Sequence, residues 1–420
     1  VGRGGYSAES SLRCEESTDA RTTSLGRGRK GNRRETGLRM RLDFVPSRIP
    51  DIDEALRPRI REFIAERIDR YPAAQRTRTW MGFDEGFSRE MGRNGWIGLS
   101  FPTRYGGQGR GPFARYVVVE ELLSAGAPVS AHWIAERQSG PLLLKYGSET
   151  QRQRYLPAIC RGEAFFGIGM SEPDSGSDLA SVRTRARRGD GGWIVDGRKI
   201  WTTNAHRSHY LIALLRTSGV PEDRHKGLSQ IIIDLKAPGV TVRPIRDLAG
   251  DAHFNEVFFD EVFVDDDALV GNEGDGWKQV TSELAFERSG PERILSSIVL
   301  LDMLVARIAQ RADRAARHDI GRVVATMTAL RSMSLSVTAR LEQGEEPVLE
   351  AALVKELGTT LEQSIPELAV RHLGDDEVAL ATDELARVLT DTTLLAQSFS
   401  LRGGTREILR GMIARGLGLR

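Results

Sequence analysis

Between Phe165 and Val264 the apolar residues recur at every second position in short runs, whereas on either side they recur at every third or fourth. A period of two fits a pleated strand with one buried face, and a period near 3.6 fits a helix with one apolar stripe. The chain therefore has to hold a strand-rich unit between two helical blocks. The alternation predicts strands over Phe165–Met170, Val182–Arg188, Trp193–Val195, Arg198–Trp201, Tyr210–Leu215, Gln230–Asp234, Val240–Ile245 and Asn255–Val264. The pair Asp196-Gly197 is the dipeptide of tight two-residue turns and predicts a hairpin there.

The first helical block opens with Ile52, Leu56, Ile60, Phe63 and Ile64, which predict an amphipathic helix over Ile52–Ile68. Phe113–Ala125 and Gly140–Tyr146 read as buried helices. Ser148-Glu-Thr-Gln151 is a capping box that opens another over Glu149–Cys160. After Gly274-Asp-Gly-Trp277 long helical stretches run to the end, with breaks expected near Gly321, Gly344–Pro347, Gly374 and Gly403-Gly404. That number and length of helices suits a four-helix bundle. The expected class is α+β: an N-terminal α-helical domain over 40–162, a middle antiparallel β-domain over 163–273 and a C-terminal four-helix bundle over 274–420.

Residues 1–39 are rich in Gly, Arg, Ser, Thr and Glu without apolar periodicity, the composition of a disordered tail. They carry a surplus of four positive charges, so the net +1 of the whole chain is local to that segment. Met40 stands just before the first patterned stretch, which makes 1–39 an alternative candidate for an over-called extension. A balanced charge argues against a general nucleic-acid binder. Two distant cysteines, Cys14 and Cys160, give no disulfide framework or zinc spacing and fit a reducing cytoplasm. No run of about 18 apolar residues is present to span a membrane.

Two stretches carry chemistry. Phe165–Asp178, FFGIGMSEPDSGSD, reads as a strand ending in small hydroxyls and close backbone turns. Lys199-Ile-Trp-Thr-Thr-Asn204 is a second strand end with an aromatic wall and two hydroxyls, suited to stacking on and hydrogen-bonding a ring system. The glycines of Tyr105-Gly-Gly-Gln-Gly109 follow no predicted strand and lack G-x-G-x-x-G spacing, which excludes a Rossmann fingerprint. His206 and His209 have no carboxylate or cysteine company and read as loop residues.

From about residue 50 onward the chain resembles the acyl-CoA dehydrogenases, through these two stretches, the Trp96–Gly109 segment and the C-terminal motifs. The resemblance implies FAD as cofactor, an acyl-CoA substrate oxidised to a trans-2-enoyl-CoA, and electron-transfer flavoprotein as the acceptor. It implies a homo-oligomer, a dimer or more usually a tetramer. Ser171 matches the hydroxyl that bonds the flavin ring, with Ile168 and Met170 on the same strand end. Trp201 and Thr203 match the wall and hydroxyl beside the reactive nitrogen, and Ser177 matches a serine that meets the acyl-CoA. The family's I-x-E-G-T motif reads Leu401-Arg402-Gly403-Gly404-Thr405 here, so its glutamate is replaced by Gly403, which would offer only its backbone N–H to the thioester oxygen. The other family position for the base, in isovaleryl- and long-chain-type enzymes, is matched by Leu284-Ala-Phe-Glu-Arg288. Glu287 is thus the expected general base, beside Arg288 at the substrate, with Glu283 as nearest competitor. Thr405 and Glu407 match positions at the adenosine end of the cofactor, and Arg317 resembles an arginine that reaches a neighbouring subunit's pyrophosphate. The Q-x-x-G-G motif is poorly kept around Arg371–Asp375.

Two other readings stay open. One is an oxygen-using flavin monooxygenase or oxidase of the same fold. The other is a weakly active partner subunit of a heteromeric dehydrogenase, which the missing glutamate at Gly403 suggests.

Overall fold

The computed structural model describes residues 42–373 and 384–419, and within them not the side chains of 283–287. Residues 1–39, Gly374 and Asp375 therefore lie outside the described residues. The order of elements is helices, a seven-stranded sheet, then helices.

In the first block, α1 (Arg57–Ala65) buries Ile60, Phe63 and Ile64. It starts later than the periodicity predicts, and Ile52 is 73% exposed. Pro58 has no N–H to continue the ladder from a preceding turn, so the pattern breaks into two pieces there. Asp84 caps α2 (Glu85–Arg93) by accepting the Phe87 N–H at 2.8 Å. Helix α3 (Pro112–Ser124) is buried nearly all round. Ser130–Ile134 passes through one widened turn, Ala135–Ser139, into α4 (Gly140–Tyr146). The predicted capping box opens α5 (Glu149–Cys160), with Ser148 Oγ accepting from Gln151 N and Gln151 Oε1 from Ser148 N.

The strands are β1 (Phe166–Gly169), β2 (Arg185–Gly189), β3 (Gly192–Lys199), β4 (Tyr210–Arg216), β5 (Leu228–Asp234), β6 (Val240–Ile245) and β7 (Phe254–Asp265), in the order β1-β4-β2-β3-β7-β6 with β5 on β4. Antiparallel pairing holds for β2/β3, β3/β7, β4/β5 and β6/β7. It fails for β1 and β2 against β4, which run parallel. A parallel pair needs a long crossover, and the excursion through β2 and β3 supplies it.

Asp196-Gly197 is not a hairpin turn. It lies within one continuous strand, opposite a bulge in β7. The extra residue is Glu261, at φ 48°, and Asp196 accepts its N–H at 3.0 Å. Gly197 is needed because a Cβ there would stand 2.8 Å from Thr184. The true hairpin turn is Gly189–Gly192, with Gly191 at φ 72°.

One face of the sheet closes over Trp193, Val195, Leu211, Ile231, Val257 and Phe259. On the other, Phe166, Ile212 and Ile232 join the helical core, where Tyr155 of α5 meets Phe166 and Tyr210 edge-on. Burial on both faces explains the unbroken apolar runs of β4 and β5.

The last block comprises α6 (Gly276–Arg288), α7 (Ile298–Ala309), α8 (Arg314–Glu342), α9 (Val348–His372), α10 (Glu384–Ala396) and α11 (Arg406–Gly416). The break expected near Gly321 is absent, since α8 runs through it for 29 residues. An interior glycine costs a helix about 1 kcal/mol, less than the packing of so long an element returns. Helix α6 clamps the sheet. Val280 is buried with Val182, Leu214 and Leu228, and Met170 and Trp277 pack against them. Among the described residues no helix is long and apolar enough to cross a membrane.

Candidate active site

The segment after β3 shows an alternation that bears on function. The N–H groups of Ile200, Thr202 and Asn204 donate to Ser171 O (2.9 Å), Asn255 O (3.0 Å) and His253 O (2.6 Å). The intervening N–H groups of Trp201 and Thr203, like that of Ser171, have no partner among the described residues. With every second N–H tied to a carbonyl, the three that remain form an edge of main-chain donors left for a ligand. Trp201 beside it is 55% exposed, sits at φ 59° and meets Phe254 edge-on at 5.9 Å. A half-exposed tryptophan on strained backbone is a common mark of a binding site.

This edge is held from behind. Lys199, fully buried, donates through Nζ to Glu172 Oε1 at 2.7 Å and to Met170 O at 3.1 Å. The Glu172 carboxylate also accepts the N–H groups of Arg183 (2.7 Å) and Thr184 (2.9 Å). Burial opposes the charge on Glu172, but Lys199 and these bonds outweigh it and hold the carboxyl below its ordinary range. Burial pushes the Lys199 ammonium down to about 8 against the pull of Glu172. Paired main-chain bonds between Glu172 and Ser175 close a tight turn two residues before exposed Ser177.

A second group forms where α6 ends. The buried Arg288 donates through Nε to Gly403 O at 3.0 Å and contacts Met412 of α11. Gly403 and Gly404 both have positive φ, 69° and 97°. The Gly403 N–H has no partner among the described residues. Thr405 caps α11, and Glu407 is exposed on its first turn. Residue 287 lies on α6 one position before Arg288, but its side chain is outside the described ones. Met170 packs near the other end of the same helix, so α6 links the two groups.

Behind Gly403 the seam with the first block is filled by stacked cations and rings. The Arg402 guanidinium lies 4.2 Å from the Phe399 ring and 4.9 Å from Trp80. Trp80 stacks on Trp133 at 6.2 Å, and Arg137 lies over Trp133 at 5.6 Å. Carboxylates balance them: Arg402 Nη2 is 3.3 Å from Glu362 Oε2, and Arg137 Nε is 3.2 Å from Glu292 Oε1. Burial pushes the Arg402 guanidinium down to about 10.

The structure thus brings Met170, Ser171, Trp201 and Thr203 to one edge with Ile168 half-buried on the strand below, and Arg288, Gly403 and Thr405 to one junction. Arg317 is exposed on α8 and bonds only Arg311 O among the described residues. Arg371 stands 3.5 Å from Asp319. Sequence reasoning missed Glu172, Lys199 and Arg402. A lysine at a core-facing phase of β3 and an arginine next to the glycine pair were the available signals, because a buried charge demands a partner.

The donor edge suits a flat heterocycle rich in acceptors. With Trp201 as wall and the Ser171 and Thr203 hydroxyls alongside, the residues present fit the isoalloxazine of FAD.

Family models for the N-terminal, middle and C-terminal domains of acyl-CoA dehydrogenases match residues 50–163, 167–262 and 274–418. The acyl-CoA dehydrogenase FadE29 of Mycobacterium tuberculosis is 34% identical over 336 residues, 78% of this chain and 86% of that one. The solved structure described as the Tcur3481-Tcur3483 steroid ACAD aligns with a TM-score of 0.79 at 29% identity, over 89% of this chain and 98% of its own. The ChsE4-ChsE5 complex from Mycobacterium tuberculosis aligns at 0.75 and 26%, over 91% and 100%. Three consecutive domain matches, a sheet clamped between helical blocks and a donor edge fitted to a flavin agree: this chain belongs to the acyl-CoA dehydrogenase family, FAD-dependent oxidoreductases acting on CH–CH bonds.

Proposed function

We propose that the chain removes the α-proton of an acyl-CoA thioester with Glu287 while the β-hydrogen leaves as hydride, giving a trans-2-enoyl-CoA. FAD, when bound, supplies the hydride acceptor. The observation that carries this reading is the Arg288–Gly403 bond, which ties the end of the helix bearing residue 287 to the glycine pair. On this reading the Gly403 N–H binds the thioester oxygen and acidifies the α-carbon. Ser171, Trp201 and Thr203, with Ile168 and Met170 beneath, hold the flavin ring. Ser177 and Arg288 meet the substrate. Thr405 and Glu407 lie toward the adenosine end, and Arg317 serves a neighbouring subunit of a cytoplasmic homo-oligomer that passes electrons to electron-transfer flavoprotein.

The test is Glu287→Gln. It is expected to retain FAD but lose reductive bleaching by acyl-CoA, and unchanged bleaching removes Glu287 from the role. A second reading, a partner subunit in a heteromeric dehydrogenase, is favoured by the absence of a carboxylate at Gly403 and by two-component names among the structural neighbours. A protein that purifies colourless alone and gains flavin absorbance only with a second chain supports it.

A further inference from the structure

We propose that the buried Lys199–Glu172 pair is the positioning device of the flavin edge, a latch that fixes Ser171 and Trp201 relative to each other before any cofactor binds. The inference rests on the reading of that edge as the flavin site.

The need for a latch follows from the topology. Ser171 follows β1, and Trp201 follows β3, yet β1 pairs with β4 and β3 with β2 and β7. Among the described residues no strand ladder joins β1 to β3, and one main-chain bond, Ile200 N–H to Ser171 O, connects their continuations. One such bond contributes only about 1 kcal/mol, too little to fix two walls of a site.

Lys199 supplies the rest. From the last position of β3 its ammonium reaches the carbonyl of Met170 and the carboxylate of Glu172, the residues on either side of Ser171. Glu172 extends the hold to Arg183 and Thr184 N–H, and Thr184 Oγ1 donates back to Arg198 O at 3.1 Å. Three segments, 170–172, 183–184 and 198–200, therefore meet on one carboxylate. Glu172 is 8% and Lys199 0% exposed, so water does not compete for these bonds. Ser171 thus sits between two residues held by Lys199, and Trp201 follows two positions after it, whereas Thr203 is held separately through the Thr202 and Asn204 N–H bonds. An apolar pair of equal volume would fill the space but leave the carbonyl and two N–H groups without partners. Bulk packing does not require this pair; a fixed edge does.

The experiment compares the wild type with Lys199→Met and with Lys199→Met/Glu172→Gln, the second leaving no lone buried charge should the single variant fold poorly. Amide hydrogen exchange is read in the FAD-free proteins, and FAD affinity by flavin fluorescence. Expected are faster exchange at Arg183, Thr184 and Ile200, unchanged exchange in α3 and α9, and FAD binding weakened by about tenfold or more in both variants. Unchanged exchange overturns the latch. Faster exchange with wild-type FAD affinity also overturns it, since the pair then secures a loop and not a site. The underlying site reading is checked separately: in the wild type, added FAD must slow exchange at Ser171, Trp201 and Thr203. If it does not, the edge is not the flavin site, whatever the variants do.

Discussion

Replacing Arg402 by methionine tests whether the stacked seam behind Gly403 is an electrostatic assembly or simple filling. Glu362 is 1% exposed and accepts Ser296 N–H at 2.7 Å, with Arg402 its cationic neighbour among the described residues at 3.3 Å. Without the guanidinium it becomes a buried carboxylate with one hydrogen bond, which costs about 3–5 kcal/mol. Loss of the contacts over Trp80 and Phe399 adds about 1 kcal/mol each, and the methionine sulfur against the same rings returns a comparable amount. The net expectation is a loss of about 4 kcal/mol. Arg402→Met/Glu362→Gln, which keeps the acceptor for Ser296 but removes the lone charge, recovers at least half of it. Urea unfolding of the FAD-saturated protein, followed by circular dichroism and tryptophan fluorescence, measures both values where the two transitions coincide. A single variant within about 1 kcal/mol of wild type, or a double variant no more stable than the single, refutes the reasoning.

His132 is buried against Ser88 Oγ at 2.8 Å, and burial, aided by Arg115, pushes its pKa to about 3. Its folded pKa lies below the unfolded value, so its contribution is complete above about pH 6.5 and is lost as pH falls toward 3, by up to about 1.4 kcal/mol per unit. Unfolding midpoints at pH 7, 6 and 5 are expected to fall, with a shallower fall in His132→Asn. At the head of α5, Ser148→Ala is expected to cost about 1 kcal/mol. Gln151→Ala should cost more, because Gln151 also donates to Asp267 O (2.6 Å) and Leu269 O (2.9 Å), and thermal melting ranks the two.

What could be read in advance was local or periodic. The Ser148–Gln151 box lies within one turn, and unbroken apolar runs in β4 and β5 and alternation in β6 and β7 marked those four strands to within about two residues. The flavin-facing stretches were legible because their chemistry is concentrated in a few consecutive residues. What stayed hidden depends on distant partners. Arg402 and Trp80 are far apart in the chain, and nothing near either announces the stack. Asp196-Gly197 misled because its glycine answers to Thr184, just before β2, and its aspartate to Glu261 on β7. Gly321 misled because helix propensity is a weak term beside tertiary packing.

The extra residue in β7 has a consequence for how this protein can change. Val257 and Phe259 point inward before Glu261, and Val262 and Val264 point inward after it, so the buried set skips one beat at that position. Deleting Asp260 or Glu261 would restore plain alternation and keep all four residues facing inward, but it would remove the bulge and the bend and added twist that it gives β7. β3, whose tip carries Lys199 and leads into Trp201, lies directly against this counting point. The spacing of residues along β7, as much as their identity, therefore sets where the tryptophan wall is aimed, and losing the extra residue is expected to re-aim it even though every buried side chain stays inside.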